Sequence, residues 1–448
     1  MKTSFTLGVY GLVTWLAQPM LRRKLRRRAK AEPGYAHAIG ERFGHYGPAL
    51  EADVDSVGWL WIHAVSLGEA RAAGILMNAL RQAEPGVRVL LTHGTATGRA
   101  EGAKWLRAGD LQVWQPWDSP GAVARFFDRF KPRIGVLMET EVWPQLTAVC
   151  AARGIPLVLA NARLNAKSLA SAQRLAWLAR PAYAALTAAW AQSEADASRL
   201  ALLGARVDGV FGNLKFDAAP DTVQLAEGQA RRAALARPVV MLASSREGEE
   251  KQLLDVIGRL VAGGSPAVRD VQWLIVPRHP QRFDEVAALI YNAGFTPVRR
   301  STSTGMFDLG STPGTSGAEP IAVWLGDSLG EMALYYALSD VALLGGSFEP
   351  LGGQNLIEAA ACGCPIVLGP STFNFADAAT LALAAGAATR VADMEKGVGT
   401  ALALVAEPGR RQAMAQAAVR FASAHRGAAK RTAHAVLALL SARVKSPG

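Results

Sequence analysis

The segment "HAVSLGE", residues 63–69, carries an apolar run into a small-residue turn and sets a carboxylate, Glu69, where a helix should open. Two chemistries suit that place. Ser66 and Glu69 have the S-x-x-E spacing of a capping box, in which hydroxyl and carboxylate reciprocally satisfy free N–H groups of the first helical turn. A glutamate at the mouth of a strand can equally act as a general base, provided burial raises its pKa against the helix dipole, which lowers it. Local pattern leaves both open. A second acidic pair follows the apolar run "RIGVLME" (133–139): Glu139 ends the run, and Glu141 could simply complement the dipole of a helix begun at Pro144. In "GNLKFD" (212–217), Lys215 puts a cation just after another apolar run, where it can offset ligand charge or sit solvated.

The second half offers nucleotide chemistry. "LASSREGEE" places Ser244 and Ser245 before a helix whose N–H groups suit an anion, and "VPRHPQRF" sets Arg278 and His279 where a guanidinium can clamp a phosphate. "GDSLGEM" supplies Gly330 and Glu331 at a helix start. "GGQNLIEAA" has a turn at Gly352 and Gly353, then Asn355 and Glu358 on one helical face, so backbone amides would cradle phosphate while the carboxylate accepts ribose hydroxyls. Each turn alone is weak evidence; four such loops in succession are much stronger. No metal or other cofactor is expected, since the seven His are dispersed and the D-x-D at Asp53 and Asp55 precedes the first strand and reads as a loop. Cys150, Cys362 and Cys364 suit core packing in a reducing compartment.

These residues need elements that bring them together. A chain of 448 residues exceeds one hydrophobic core, and its 50% apolar and 19% charged residues describe a folded protein. Continuous apolar runs at 57–65, 87–92, 111–116, 133–139, 155–161, 188–193 and 207–212 alternate with amphipathic stretches, as do runs at 238–245, 271–277, 321–326, 341–346 and 365–369. Continuous rather than alternating runs predict parallel strands covered on both faces, hence an α/β protein of two doubly wound domains. The expected divisions are an anchor and basic segment at 1–30, a first domain at 31–216, a linker at 217–236 and a second domain at 237–448 that includes the Ala-rich closing helices. The Gly/Ser/Thr/Pro-rich stretch 301–320 reads as a surface excursion. Ligands of open α/β sheets lie beyond the strands' carboxyl ends, so two domains facing across a cleft are expected.

The net charge of +11 is local, because Arg22, Arg23, Lys24, Arg26, Arg27, Arg28 and Lys30 lie in one acid-free stretch. Nucleic-acid binders stripe a whole domain instead, so no nucleic-acid partner is expected. The uncharged run "FTLGVYGLVTWLA" (5–17) ahead of the cations is short for a span and has the reverse order of a signal peptide. It predicts a shallow or tilted membrane anchor, the alternative being a first helix packed on its own domain.

With "GERFG" (40–44), "HAVSLGE" (63–69), "METEVWP" (138–144), "NARLNAKS" (161–168), "GNLKFD" (212–217), "VPRHPQRF" (276–283), "GDSLGEM" (326–332), "GGQNLIEAA" (352–360) and "GPSTFNF" (369–375) in order, the chain resembles the 3-deoxy-D-manno-octulosonic acid (Kdo) transferases. The resemblance implies a GT-B glycosyltransferase fold with an N-terminal membrane-anchoring helix. It implies inverting transfer of Kdo from the donor CMP-Kdo to a lipid A precursor, at the cytoplasmic face of the inner membrane among its lipids, without a cofactor. By the same resemblance Glu69 is the catalytic base, and Glu139 and Lys215 stabilise the transition state. The CMP contacts it implies are Pro277 and Arg278, then Leu329, Gly330 and Glu331, then Asn355, Leu356, Ile357 and Glu358. Rival readings are a UDP-sugar donor with another lipid acceptor, or a non-catalytic nucleotide-binding scaffold on the membrane.

Overall fold

Two seven-stranded, all-parallel sheets organise the chain. The computed structural model describes residues 2–47, 58–302 and 320–444. The predicted Asp53/Asp55 loop and nearly all of the excursion at 301–320 lie outside the described residues. The first sheet holds β1 (Leu60–His63), β2 (Val89–His93), β3 (Leu111–Trp114), β4 (Ile134–Met138), β5 (Leu157–Ala162), β6 (Ala188–Ala191) and β7 (Val207–Val210), in the order β3-β2-β1-β4-β5-β6-β7. The second holds β8 (Val239–Ser245), β9 (Gln272–Pro277), β10 (Thr296–Arg299), β11 (Ala322–Leu325), β12 (Val341–Leu344), β13 (Ile366–Leu368) and β14 (Ala388–Arg390), in the order β10-β11-β9-β8-β12-β13-β14.

All twelve predicted runs become strands, and the sequence missed β10 and β14. Both are edge strands of four and three residues, "TPVR" and "ATR", too short and too polar to stand out as apolar runs. Central strands are sealed: Trp61, Ile62, Val136 and Leu137 have no exposed surface, and each large apolar side chain so buried contributes about 1.5–3 kcal/mol. In each sheet the strand order reverses once around its first strand. That point lies between β1 and β4 in one sheet and between β8 and β12 in the other, and there the loops diverge and leave room for a ligand.

The compact units are Met1–Asp217 with His425–Gly448, and Ala218–Ala424. Two expected divisions change. The expected linker is largely the helix Thr222–Ala234, which packs on the helix Met332–Leu338 within the second unit. The closing helix Ala428–Val444 belongs to the first unit, where Ala428, Ala433 and Val436 join the core beside Leu76, Met77 and Leu80 of the helix Leu67–Ala83. Asp217 anchors the return by accepting the N–H groups of Gly427 and Ala429.

The membrane-anchoring helix expected at the N-terminus finds no support as a span, since no described helix is long and apolar enough to cross a membrane. Residues Lys2–Leu16 form one helix of 15 residues, and the basic helix Gln18–Ala31 follows it directly. The inner side of the first helix docks on its own unit, with Thr14 and Gly11 buried and the Leu7 carbonyl accepting from Gln145 Nε2 at 2.9 Å. Its opposite face keeps Phe5 (75% exposed), Leu12 (57%), Val13 (58%) and Leu16 (62%) outside the core.

Candidate functional site

Glu69 opens the helix Leu67–Ala83 directly after β1, and it is buried. Ser66 is the N-cap: its Oγ accepts from Glu69 N–H at 3.4 Å and donates to Glu69 Oε1 at 3.0 Å. The return arm of the capping box is displaced by one residue, because Glu69 Oε2 accepts the N–H of Val65 at 2.8 Å rather than that of the cap itself. Each carboxylate oxygen thus accepts one bond and keeps a second lone pair, so capping and proton transfer are compatible. Burial pushes the Glu69 carboxyl up to about 7, the Val65 N–H pulls against it, and the charges of Glu139 and Glu141 raise it further. A carboxyl with that pKa, at the reversal point of a doubly wound sheet, has the properties of a base.

Glu139 ends β4 in the left-handed region, φ 58°. Its N–H donates to Ala160 O and its carbonyl accepts from Arg163 N–H, so the strained backbone is pinned on both sides and the side chain is turned off the strand end. Lys215 Nζ stands 3.7 Å from Glu139 Oε1. Asn161 completes the group, and sequence reasoning missed it as a functional residue. It too is left-handed, φ 52°, at a register shift between β5 and β6. Its amide reaches Glu139 Oε1 at 3.5 Å and its Oδ1 accepts Leu214 N–H at 3.0 Å, linking the carboxylate to the segment that carries Lys215. The available signal was an Asn at a strand end, one of the few residue types that tolerates positive φ. Glu141 lies aside, accepting from the Trp143 indole at 3.0 Å, and burial raises its pKa. The structure therefore brings Glu69, Glu139 and Lys215 into one electrostatic neighbourhood.

In the second unit the loops follow the sheet order β11, β9, β8, β12 along its carboxyl edge, so the loop carrying residues 329–331 and the one that begins at Arg278 leave neighbouring strands. Pro277 ends β9, and the Arg278 N–H donates to Ser245 O at 3.0 Å. Leu329 is 71% exposed, Gly330 takes φ 82°, and the Glu331 carboxylate is held by Arg300 at 3.0 Å and by Ser328. Asn355 caps the helix Leu356–Ala361 by accepting Ile357 N–H at 3.2 Å; Leu356 and Ile357 are buried, and Glu358 is half-buried.

Two expected anion sites change character. The helix after Ser245 starts at Glu249, whose carboxylate accepts the N–H groups of Arg246, Gly346 and Phe348, so three loop amides around that helix start are taken by the chain's own side chain. The amides of Gly352, Gly353 and Gln354 donate to Ser371 Oγ, Gly346 O and Gly345 O, closing the loop on itself rather than cradling a phosphate.

Residues 37–218 match the family model of the 3-deoxy-D-manno-octulosonic-acid transferase (kdotransferase). The chain is 47% identical to the 3-deoxy-D-manno-octulosonic acid transferase of Bordetella pertussis over 96% of this chain and 98% of that one. It is 31% identical to the transferase of the same name from Haemophilus influenzae, over 82% of each chain. A glycosyltransferase from Rickettsia africae shares the GT-B-like fold, with TM-score 0.52 at 13% identity over 88% of this chain and all of that one. Near-complete coverage of the Bordetella relative at 47% identity, with the family model matched over 37–218, leads to one conclusion: the chain belongs to the 3-deoxy-D-manno-octulosonic acid transferase family of glycosyltransferases.

Proposed function

We propose that the chain transfers Kdo from CMP-Kdo to a hydroxyl of a lipid A precursor in lipopolysaccharide synthesis, with Glu69 as general base and inversion at the anomeric carbon. The observation that carries the reading is the Glu69 carboxyl, pushed up to about 7 and oriented by Val65 N–H and Ser66 Oγ. A base of that strength is ionised enough to act near neutrality and basic enough to take the proton as the new bond forms. The extended identity to a named Kdo transferase supports the donor and the reaction class.

In this reading the departing nucleotide leaves an oxocarbenium-like sugar, which the carboxylate of Glu139, steadied by Lys215 and Asn161, favours electrostatically. Pro277 and Arg278, Leu329 through Glu331, and Asn355 through Glu358 hold CMP. Leu356 and Ile357 do so through their backbone, since their side chains are committed to the core. The first two helices suit a lipid acceptor. The exposed apolar face of Lys2–Leu16 would lie in the interface of the inner membrane's cytoplasmic leaflet, while Arg22 through Lys30 meet anionic headgroups.

Purified enzyme, CMP-Kdo and a tetraacylated lipid A precursor, read by mass spectrometry, test donor, acceptor and number of additions together. Glu69→Gln should lower kcat by about 10²–10⁴ and leave CMP affinity unchanged. Full turnover by that variant would move the base elsewhere, and equal use of a UDP-sugar would overturn the donor. For the membrane, flotation on anionic vesicles should fail when Phe5, Leu12 and Leu16 are replaced by Ser; unchanged flotation would remove the interfacial role.

A further inference from the structure

His93 ends β2, 24 residues after Glu69 in sequence, and has no exposed surface. Its Nδ1 lies 2.8 Å from Ala64 O, an atom that can only accept, so Nδ1 carries the proton. Its Nε2 faces the Gln112 amide nitrogen at 3.0 Å, and that nitrogen also donates to Arg99 O at 2.8 Å. Two acceptors around one amide nitrogen fix both the Gln112 orientation and the neutral tautomer of the ring. Ala64 O belongs to the peptide whose N–H, that of Val65, donates to Glu69 Oε2 at 2.8 Å. The run is therefore continuous from Gln112 through His93 and the Ala64–Val65 peptide to the carboxylate. The far side of the same residue is clamped as well, since Val65 O accepts both Thr95 N–H at 3.0 Å and Thr95 Oγ1 at 2.8 Å.

The fold makes room for this ring. Gly102 on the helix Ala96–Ala103 lies so close that a Cβ there would stand 2.4 Å from His93 Cε1 and Nε2. An ordinary helical residue would push the imidazole off Ala64 O.

We propose that His93 is a positioning residue for Glu69: by donating to Ala64 O it polarises the Ala64–Val65 peptide, and so strengthens and aims the Val65 N–H bond that holds the carboxylate. This rests on the reading of Glu69 as the base. Hydrogen bonds in series reinforce one another in a dry interior, and a stronger bond to a carboxylate favours its ionised form. The titratable and charged groups around the two ends are Glu139 and Glu141 facing Glu69, and Arg99 and the buried, neutral His63 facing His93. Burial and Arg99 push the His93 ring down to about 4, so it stays neutral while Glu69 titrates and adds no charge of its own.

The test separates positioning from simple core packing. His93→Leu removes the donor; His93→Gln removes it while keeping a polar group near the Nε2 position; His93→Asn keeps a donor near the Nδ1 position. Glu69 is titrated directly by ¹³C-carboxyl NMR, with Glu69→Gln assigning its signal, beside the acid limb of kcat/KM. Leu and Gln variants should raise the Glu69 midpoint by about 0.4 of a pH unit, a rate loss of about 2.5-fold on the acid limb, and Asn should restore it. If Leu fails to fold, Gln answers the question. A midpoint unmoved in the donor-less variants overturns the proposal even if their stability falls. A midpoint that moves while the acid limb of kcat/KM does not would uphold the positioning role and sink the reading of Glu69 as base.

Discussion

Glu69 is pulled in opposite directions by stability and activity. Its carboxyl ordinarily titrates near 4.5 and is pushed up to about 7 in the folded chain, mainly by burial. Between those values the folded state holds a proton that the unfolded state has released, so stability falls as pH rises through this window and the full loss stands above pH 7. With Glu69 as the proposed base, activity needs the ionised form and rises through the same window. Urea unfolding should therefore find Glu69→Gln more stable than the parent at pH 8, by at most about 3 kcal/mol, with the gap closing by pH 4.5; an equal gap at both pH values would deny the shift. Glu139 contributes repulsion to that raised value, so Glu139→Gln should move the acid limb of kcat/KM to lower pH, opposite to the donor-less His93 variants, whatever it does to kcat. Glu69 was legible because S-x-x-E is a local pattern. Asn161 and His93 were not, because their partners Glu139, Leu214 and Ala64 lie 22 to 53 residues away, and it is the parallel pairing of β4 with β5 and of β1 with β2 that brings Glu139 and Ala64 to them.

At the scale of elements, the strand ends carry the strain. Glu139, Asn161 and Ser244 are non-glycine residues at positive φ, each at the carboxyl end of its strand, and Asn161 and Ser244 coincide with register shifts in their ladders. Such places turn a side chain off the ladder at a cost that neighbouring packing must sustain. Ser244 shows the dependence: a Cβ on Gly345, just past β12, would stand 2.3 Å from Ser244 O, a backbone atom that no side-chain rotation relieves. Gly345→Ala should destabilise the second unit by about 1–3 kcal/mol and weaken CMP binding, measured by denaturant unfolding and calorimetry. An Ala variant with unchanged stability would show that the bulge is loose. Continuous apolar runs made the central strands legible; the bulges left no mark, since a register shift follows from partners a chain segment away rather than from composition.

At the scale of the molecule, the chain leaves its first unit at Asp217 and returns at His425, a course the tail's composition does not announce. An Ala-rich amphipathic helix fits many cores, so its sequence reads as helix without naming the surface it covers. The covered surface is specific: Ala428, Ala433 and Val436 seat against the helix Leu67–Ala83, the helix that Glu69 opens. Close-packed interiors do not heal such a loss, and Asp217 would also lose its two N–H donors at Gly427 and Ala429. Residues 1–217 expressed alone should therefore melt roughly 10 °C below the same residues mixed with a peptide of residues 425–448. The peptide carrying Ala433→Asp should give no rescue, because it carries a carboxylate to a position with no exposed surface. Equal melting with and without the parent peptide would mean that the tail adds nothing to the helix behind Glu69, and that the first unit holds the Glu69 loop by the sheet alone.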